Sequence, residues 1–416
     1  MTSKPTHIFY IAEFSTGGSV ESLLCLVGGL DKTLFRATVL FYTMPDERTC
    51  GRFEAAGATV ISLYPGSSVE GSIGELKKLS LQAKIRNTFG LRVEGYYETF
   101  KDCLHFVRFK IPVYRAIHQK IQAIKPDLVH LNNGLGSDTP GILAARKNKV
   151  PIVCHVRTLA RLTHFSVAVS RSIGANLCIS NAVRDTAVDQ GVNKERCIVV
   201  PNAVDLARFN TADDSADSIR DELGWDSSHK VFSLVGRVVS WKGQDYFIRA
   251  LAEAHNSNKN VRGLIVGDGE DTDKGRTYVD GLRSLVSDLG LDDVAVFTGH
   301  RTDIPGIMKS SDVVVCASSL PEPFGRVIIE SMATGSVVIA TNAGGAPDII
   351  ENDVNGLLVP MKDSHALAKA MLLISQDDQL SEGLRSAAIK AVHDRYTVAK
   401  HVDRVCDIYQ SLLQIH

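Results

Sequence analysis

Two glutamates separated by seven residues bracket the run PEPFGRVIIE, Glu322 near its start and Glu330 at its end. An ionised carboxylate only accepts hydrogen bonds, which suits it to hold sugar hydroxyls or the vicinal diol of a ribose. The apolar run that stops at Cys316 opens into ASSLPEPFGR, so a strand should pass through a loop into a helix here. Glu322, Phe324 and Gly325 then fall in the loop, and Glu330 lies one or two turns into the helix. Gly325 allows close approach to the backbone, and neighbouring N–H groups can donate to hydroxyl or phosphate oxygens. The plainer alternative is a buried Glu330 paired only to its own helix end.

A second constellation lies in LVGRVVSWKGQDY, where Arg237 and Lys242 sit on a loop that enters a helix near Gly243. Two cations beside free helix N–H groups suit a diphosphate. After the first strand comes FSTGGSVESLL, in which Gly17 and Gly18 permit a tight turn into a helix whose first N–H groups face an anion. A glycine pair at such a junction is also ordinary turn geometry. His155 and Arg157 close the run PIVCHVR, and His130 closes DLVH, a second-rank site candidate. A lone histidine at a strand end is more often structural than catalytic. His155 gains weight from a strand end expected to face a cleft.

The elements that must position these groups alternate. Strand-like runs at 7–12, 37–42, 58–63, 127–131, 151–156, 176–180 and 197–200 are followed, beyond the polar stretch from Asn210 to Lys230, by runs at 231–236, 262–266, 294–298, 312–316, 337–341 and 357–360. Helical segments lie between most of them, the pattern of doubly wound parallel sheets. The expected architecture is α/β, with two Rossmann-like domains over 1–205 and 206–395 facing a cleft, and a C-terminal helix, about 396–416, packing back on the first domain. Ligands of such sheets bind beyond the carboxyl ends of the strands, where the residues named above lie.

Composition excludes several classes. The chain has 416 residues, 44% hydrophobic and 22% charged, with a net charge of −1. That balance argues against a dedicated nucleic-acid binder and fits a globular protein of two or three domains. The eight cysteines are scattered without a C-x-x-C pair, the usage of a reducing compartment. No run of 18 apolar residues suggests a membrane span, and no leader peptide is evident, so a cytoplasmic protein is expected. Charge is nonetheless uneven: residues 1–205 carry +8 and residues 206–416 carry −9. The excess of the first half sits in 76–125, with 11 basic and three acidic side chains. A run of this kind is usually a solvated face. The alternative is a surface that meets an anionic membrane, at the inner membrane face, or a lipid-diphosphate-linked acceptor.

Taken together, these residues resemble the retaining glycosyltransferases of family 4, with the GT-B fold. The resemblance covers essentially the whole chain. Its most specific element is the glutamate pair with PFG between. GGSVE at 17–21, VPNAVDLARF at 200–209, GR and KG within 236–243, VGDGE at 266–270 and NAGGAPDII at 342–350 support it in order. The resemblance implies a nucleotide-sugar donor, UDP- or GDP-linked, an acceptor that is a sugar, a glycolipid or a lipid-linked oligosaccharide, and no required metal or other cofactor. It implies that Arg237 and Lys242 grip the donor diphosphate, Glu330 the ribose and Glu322 the donor sugar. It likewise places Gly18 near the phosphate or acceptor, His155 near the donor sugar and Arg301 beside the nucleobase. Asp348 stands where relatives usually have Glu, and His155 lacks the acidic neighbour common among them.

A nucleotide-sugar epimerase or a non-catalytic nucleotide-sugar-binding protein on the same fold would share most of these features. A dinucleotide-dependent oxidoreductase would need G-x-G-x-x-G after a strand, and neither FSTGGS nor GDGEDT has that spacing.

Overall fold

The computed structural model describes residues 4–15, 17–64, 110–210 and 219–414. All thirteen anticipated strands are present: β1 Thr6–Ala12, β2 Phe35–Thr43, β3 Ala58–Tyr64, β4 Leu128–Leu131, β5 Ile152–Val156, β6 Ala175–Cys178, β7 Cys197–Val199, β8 Lys230–Val235, β9 Val261–Val266, β10 Ala295–Gly299, β11 Val313–Cys316, β12 Val337–Thr341 and β13 Leu357–Val359. Most are near-continuous apolar runs, as strands covered by helices on both faces must be.

Two compact units result. One comprises Met1–Leu177, Ala187–Ile198 and Val405–His416; the other comprises Cys178–Thr186 and Val199–Arg404. The first holds a seven-stranded sheet in the order β3-β2-β1-β4-β5-β6-β7, the second a six-stranded sheet in the order β10-β9-β8-β11-β12-β13. β1 pairs in parallel with both β2 and β4, and β8 with both β9 and β11. Strand order therefore reverses at β1/β4 in one unit and at β8/β11 in the other. A crevice opens at such a reversal because successive crossovers leave in opposite directions.

In the second unit Phe232 and Leu234 of β8, Val313 and Val315 of β11, and Ile339 of β12 belong to one buried cluster with Phe247 and Leu251 of the helix Gln244–Ser257. Each such side chain contributes about 1.5–3 kcal/mol by leaving water, and the packed core fixes where the strand ends point. In the first unit the helix Ile111–Ile124 starts with Pro112 in its first turn and buries Ile117 and Ile121. The basic residues Lys77, Lys78, Lys84, Arg86, Arg92, Lys101 and Arg108 lie outside the described residues. The helix Val398–Leu413 contributes Tyr409, fully buried, to the core of the first unit. Seven cysteines are described, and Cys154, Cys178 and Cys197 are buried. No described helix is long and apolar enough to cross a membrane.

Candidate functional site

β8 and β11 are neighbours, so the loops that follow them meet at the switch point of the second unit. The β8 loop turns through a short 3₁₀ segment, Ser240–Lys242, and enters the helix Gln244–Ser257 at Gly243. Gly243 has φ +73°, and a Cβ there would stand 1.9 Å from the carbonyl oxygen of Ala317. Only glycine lets the β8 loop lie this close to the backbone after β11. Ser319 N–H donates to the carbonyl of Trp241 at 2.8 Å, which closes the two loops on each other.

The result brings together two residues eighty positions apart. Lys242 Nζ donates to Glu322 Oε1 at 2.6 Å, and Ser318 Oγ donates to Glu322 Oε2 at 3.0 Å. Lys242 also sits 4.5 Å from the centre of the Trp241 ring, a cation–π contact. The Lys242 and Glu322 side chains are only 16% and 19% exposed, so the pair is largely shielded. Behind Glu322 lies NAGG: Gly345 N–H donates to the Glu322 carbonyl at 2.8 Å, and a Cβ on Gly344 would stand 2.0 Å from the same oxygen. Arg237, at the mouth of the same loop, is exposed and lies 3.9 Å from Glu270, free to turn toward an anion.

Gly325 caps the helix Arg326–Ala333 with φ +94°. One turn in, Glu330 accepts from Arg326 Nη2 at 2.7 Å, an i,i+4 pair that holds the carboxylate in place. Burial, with the negative charge of Glu322, pushes the nearby Cys316 thiol up to about 12, so it stays protonated and takes no nucleophilic role. The arrangement offers a cationic side, Lys242 and Arg237, and an acceptor side, Glu322 and Glu330, around one strand crossover. That is the donor–acceptor pattern of a site for a nucleoside diphosphate carrying a polyol.

Other sequence-predicted residues sit differently. The Phe324 ring is 3% exposed and packs edge-on against Tyr396, so any ligand contact there comes from the backbone. The Arg301 guanidinium is already bound by Asp303, at 2.7 and 2.9 Å, and by Glu222, at 3.0 Å. A base-facing role for its side chain would require breaking that network. Asp348 accepts from both the N–H and the amide of Asn181, at 2.6 and 2.9 Å, and so anchors the helix Asn181–Asp189.

In the first unit Gly17 turns with φ +96° into the helix Gly18–Gly29, and its carbonyl accepts from Val20 and Glu21. His155, expected at a surface facing ligand, is fully buried. Its Nδ1 shares a hydrogen bond of 2.7 Å with His130 Nε2; His130 Nδ1 bonds the Tyr409 hydroxyl, which lies 3.2 Å from that of Tyr10. The imidazole of His155 is thus part of an internal polar chain, and a ligand would meet this residue through its backbone. Arg157 is likewise spent on Asn132, through its carbonyl at 2.8 Å and its side-chain oxygen at 2.9 Å. Reading the sequence missed Ser318, Trp241 and Arg326. Of these Arg326 was detectable, four residues before Glu330 on one helix face.

Two family models match in tandem: Glycosyltransferase Family 4 over residues 48–208, and Glycosyl transferases group 1 over residues 215–391. Together they span most of the chain. An Escherichia coli protein named UDP-Gal:alpha-D-GlcNAc-diphosphoundecaprenol alpha-1,3-galactosyltransferase is 26% identical over 310 residues, 71% of this chain and 78% of its own length. A D-inositol 3-phosphate glycosyltransferase of Saccharomonospora viridis is 29% identical over 312 residues, 69% of this chain and 70% of its own. The crystal structure of HepE of Anabaena in complex with UDP-glucose superposes with a TM-score of 0.75 at 24% identity, covering 97% of this chain and 99% of that one. With the tandem matches, the two parallel sheets and the glutamate pair in place, the chain belongs to the family 4 glycosyltransferases, enzymes of GT-B fold that use a nucleotide-sugar donor.

Proposed function

We propose that this enzyme moves a hexosyl group from a UDP- or GDP-sugar to an acceptor hydroxyl with retention of anomeric configuration and without a divalent metal, in the synthesis of a polysaccharide, glycolipid or other glycoconjugate. The observation that carries the reading is the Lys242–Glu322 pair at the β8/β11 switch point, with Glu330 and Arg237 beside it. Lys242 and Arg237 are the residues to hold the diphosphate and stabilise the charge that grows on it as it leaves. Glu330 takes the ribose and Glu322 the donor sugar. In the proposed front-face step, the bond from the anomeric carbon to the β-phosphate oxygen breaks as the bond to the acceptor oxygen forms on the same face. The acceptor proton passes to the departing phosphate oxygen. The HepE complex and the name of the E. coli relative favour UDP as carrier and a lipid-diphosphate-linked acceptor.

Product analysis tests the chemistry. With a donor found by a nucleotide-sugar screen, the anomeric coupling constant of the product should match that of the donor, and EDTA should leave the rate unchanged. An inverted anomer would overturn retention, and strict dependence on an added divalent ion would overturn the cation assignment.

The basic segment 76–125 is proposed to meet an anionic membrane from the cytoplasmic side. Each Lys or Arg near such a surface contributes about 1 kcal/mol, so four or five give reversible binding. Co-sedimentation with anionic vesicles should weaken between roughly 50 and 300 mM salt, given a screening length of about 10 Å at 0.1 M. It should fall further when Lys77, Lys78, Lys84 and Arg86 become Gln. Indifference to anionic vesicles at low salt would leave a solvated face.

A further inference from the structure

Four polar side chains of the first unit are fully buried in its core: Tyr10, His130, His155 and Tyr409. Three come from neighbouring strands. β4 lies between β1 and β5, and Tyr10 is the register partner of His130. The Tyr10 and His130 rings lie 5.1 Å apart, and those of His130 and His155 4.8 Å apart. The fourth, Tyr409, arrives on the helix Val398–Leu413, 279 positions beyond His130, and sets its ring at 85° to that imidazole. Apolar side chains could fill the same space. What a fully paired polar network adds is a single arrangement, because each group in it has a set partner.

Three bonds link the four groups: Tyr10 Oη with Tyr409 Oη at 3.2 Å, Tyr409 Oη with His130 Nδ1, and His130 Nε2 with His155 Nδ1 at 2.7 Å. Each bond holds one hydrogen. Burial raises the Tyr10 phenol above its ordinary value and Tyr409 well above it, so both keep their hydrogens. Among the described residues the Tyr10 hydroxyl has one partner, Tyr409, and a buried donor left unpaired is costly. Tyr10 therefore donates to Tyr409, and the Tyr409 hydrogen has one outlet, His130 Nδ1. A neutral His130 that accepts at Nδ1 carries its own hydrogen on Nε2 and donates it to His155 Nδ1. His155 then holds its hydrogen on Nε2. The reverse order would strand the Tyr10 hydrogen in the core.

We propose that Tyr409 is a positioning residue for the transfer reaction: through His130 it fixes the tautomer and ring of His155, and with them the main chain at the carboxyl end of β5. The helix Val398–Leu413 thereby acts on a residue it does not touch with a ligand-binding group of its own. The step from His155 to turnover rests on the glycosyl-transfer reading, in which His155 lies near the donor sugar. The order of hydrogens along the chain stands without that reading.

The test uses the full chain with ¹⁵N-labelled histidine and long-range ¹H–¹⁵N NMR, the two imidazoles being assigned by single-histidine variants. In the wild type both rings should carry hydrogen on Nε2, with a coupling across the hydrogen bond from His130 Nε2 to His155 Nδ1. Tyr10→Phe should keep this pattern, because the Tyr409 hydrogen still has only His130 to meet. Tyr409→Phe should lose it: with no donor at His130 Nδ1, the second tautomer of the pair should appear. In that variant kcat for nucleotide release from a donor found by the nucleotide-sugar screen should fall roughly three- to tenfold, short of the about hundredfold that a full ångström of misplacement costs. Affinity for UDP or GDP, whichever binds, should stay that of the wild type by calorimetry, which a general loss of structure would not allow. If Tyr409→Phe fails to fold, His130→Phe, which keeps a ring but breaks the link, carries the kinetic arm. Hydrogen on His155 Nδ1 in the wild type would overturn the order, and a wild-type kcat in Tyr409→Phe would overturn the positioning role. A wild-type chain that binds neither nucleotide would overturn the donor-site reading instead, while the NMR pattern still decides the order.

Discussion

Replacing Lys242 with alanine is expected to lower turnover roughly 10²–10³-fold, the scale for removing one preorganised donor from a developing oxyanion. Arg237→Ala is expected to do the same, but the two variants differ in what they leave behind. Arg237 is 70% exposed and makes one loose ion pair, so its loss should not alter the melting temperature. Lys242, by contrast, is shielded and bound to Glu322. Its removal leaves a half-buried carboxylate with only the Ser318 hydroxyl as donor. The companion variant Lys242→Ala with Glu322→Gln separates lost catalysis from an unpaired charge. Turnover should stay low in the double variant while stability recovers. Near-normal turnover in either Lys242→Ala or Arg237→Ala would remove that residue from the diphosphate clamp.

The second large effect concerns the glutamates, to which the proposed function gives different work. Glu330 sits on the helix Arg326–Ala333 beside Arg326, and Glu322 sits in the loop beside Lys242. Glu330→Ala is expected to weaken the free nucleotide and the nucleotide sugar alike. Glu322→Ala is expected to spare the free nucleotide and weaken the sugar-bearing donor. Each charged hydrogen bond is worth about 1.5–3 kcal/mol, hence a loss on the order of tenfold to a hundredfold. Because either alanine removes an acceptor from a neighbouring cation, Glu330→Gln and Glu322→Gln are the cleaner pair. Calorimetry with the nucleotide and its sugar decides between outcomes. Equal losses for both ligands in both variants would contradict the division.

The fold was legible because its signal is local. Runs such as HIFYIA, VFSLV and VVIAT are apolar throughout, and only strands covered on both faces read that way. The glutamate pair was legible for a similar reason, since a loop and one helix turn set its geometry. What escaped depends on the order in which strands lie side by side. Lys242 meets Glu322 across 80 positions because β8 and β11 are neighbours, and nothing in either segment announces the other. His155 ended a strand, as expected, but its neighbour His130 and the Tyr409 hydroxyl, 279 positions from His130, enclose it in the core. Sequence periodicity reports burial along one element, and tertiary neighbours across a switch point leave no trace in it.

Amide hydrogen exchange with and without saturating nucleotide tests the central claim most directly, because it reports where the nucleotide diphosphate sits. With the tighter of UDP and GDP bound, slowed exchange is expected in residues 236–244 and 318–330, the two loops and helix starts of the β8/β11 switch point. Saturation with no protection in either segment would contradict the account.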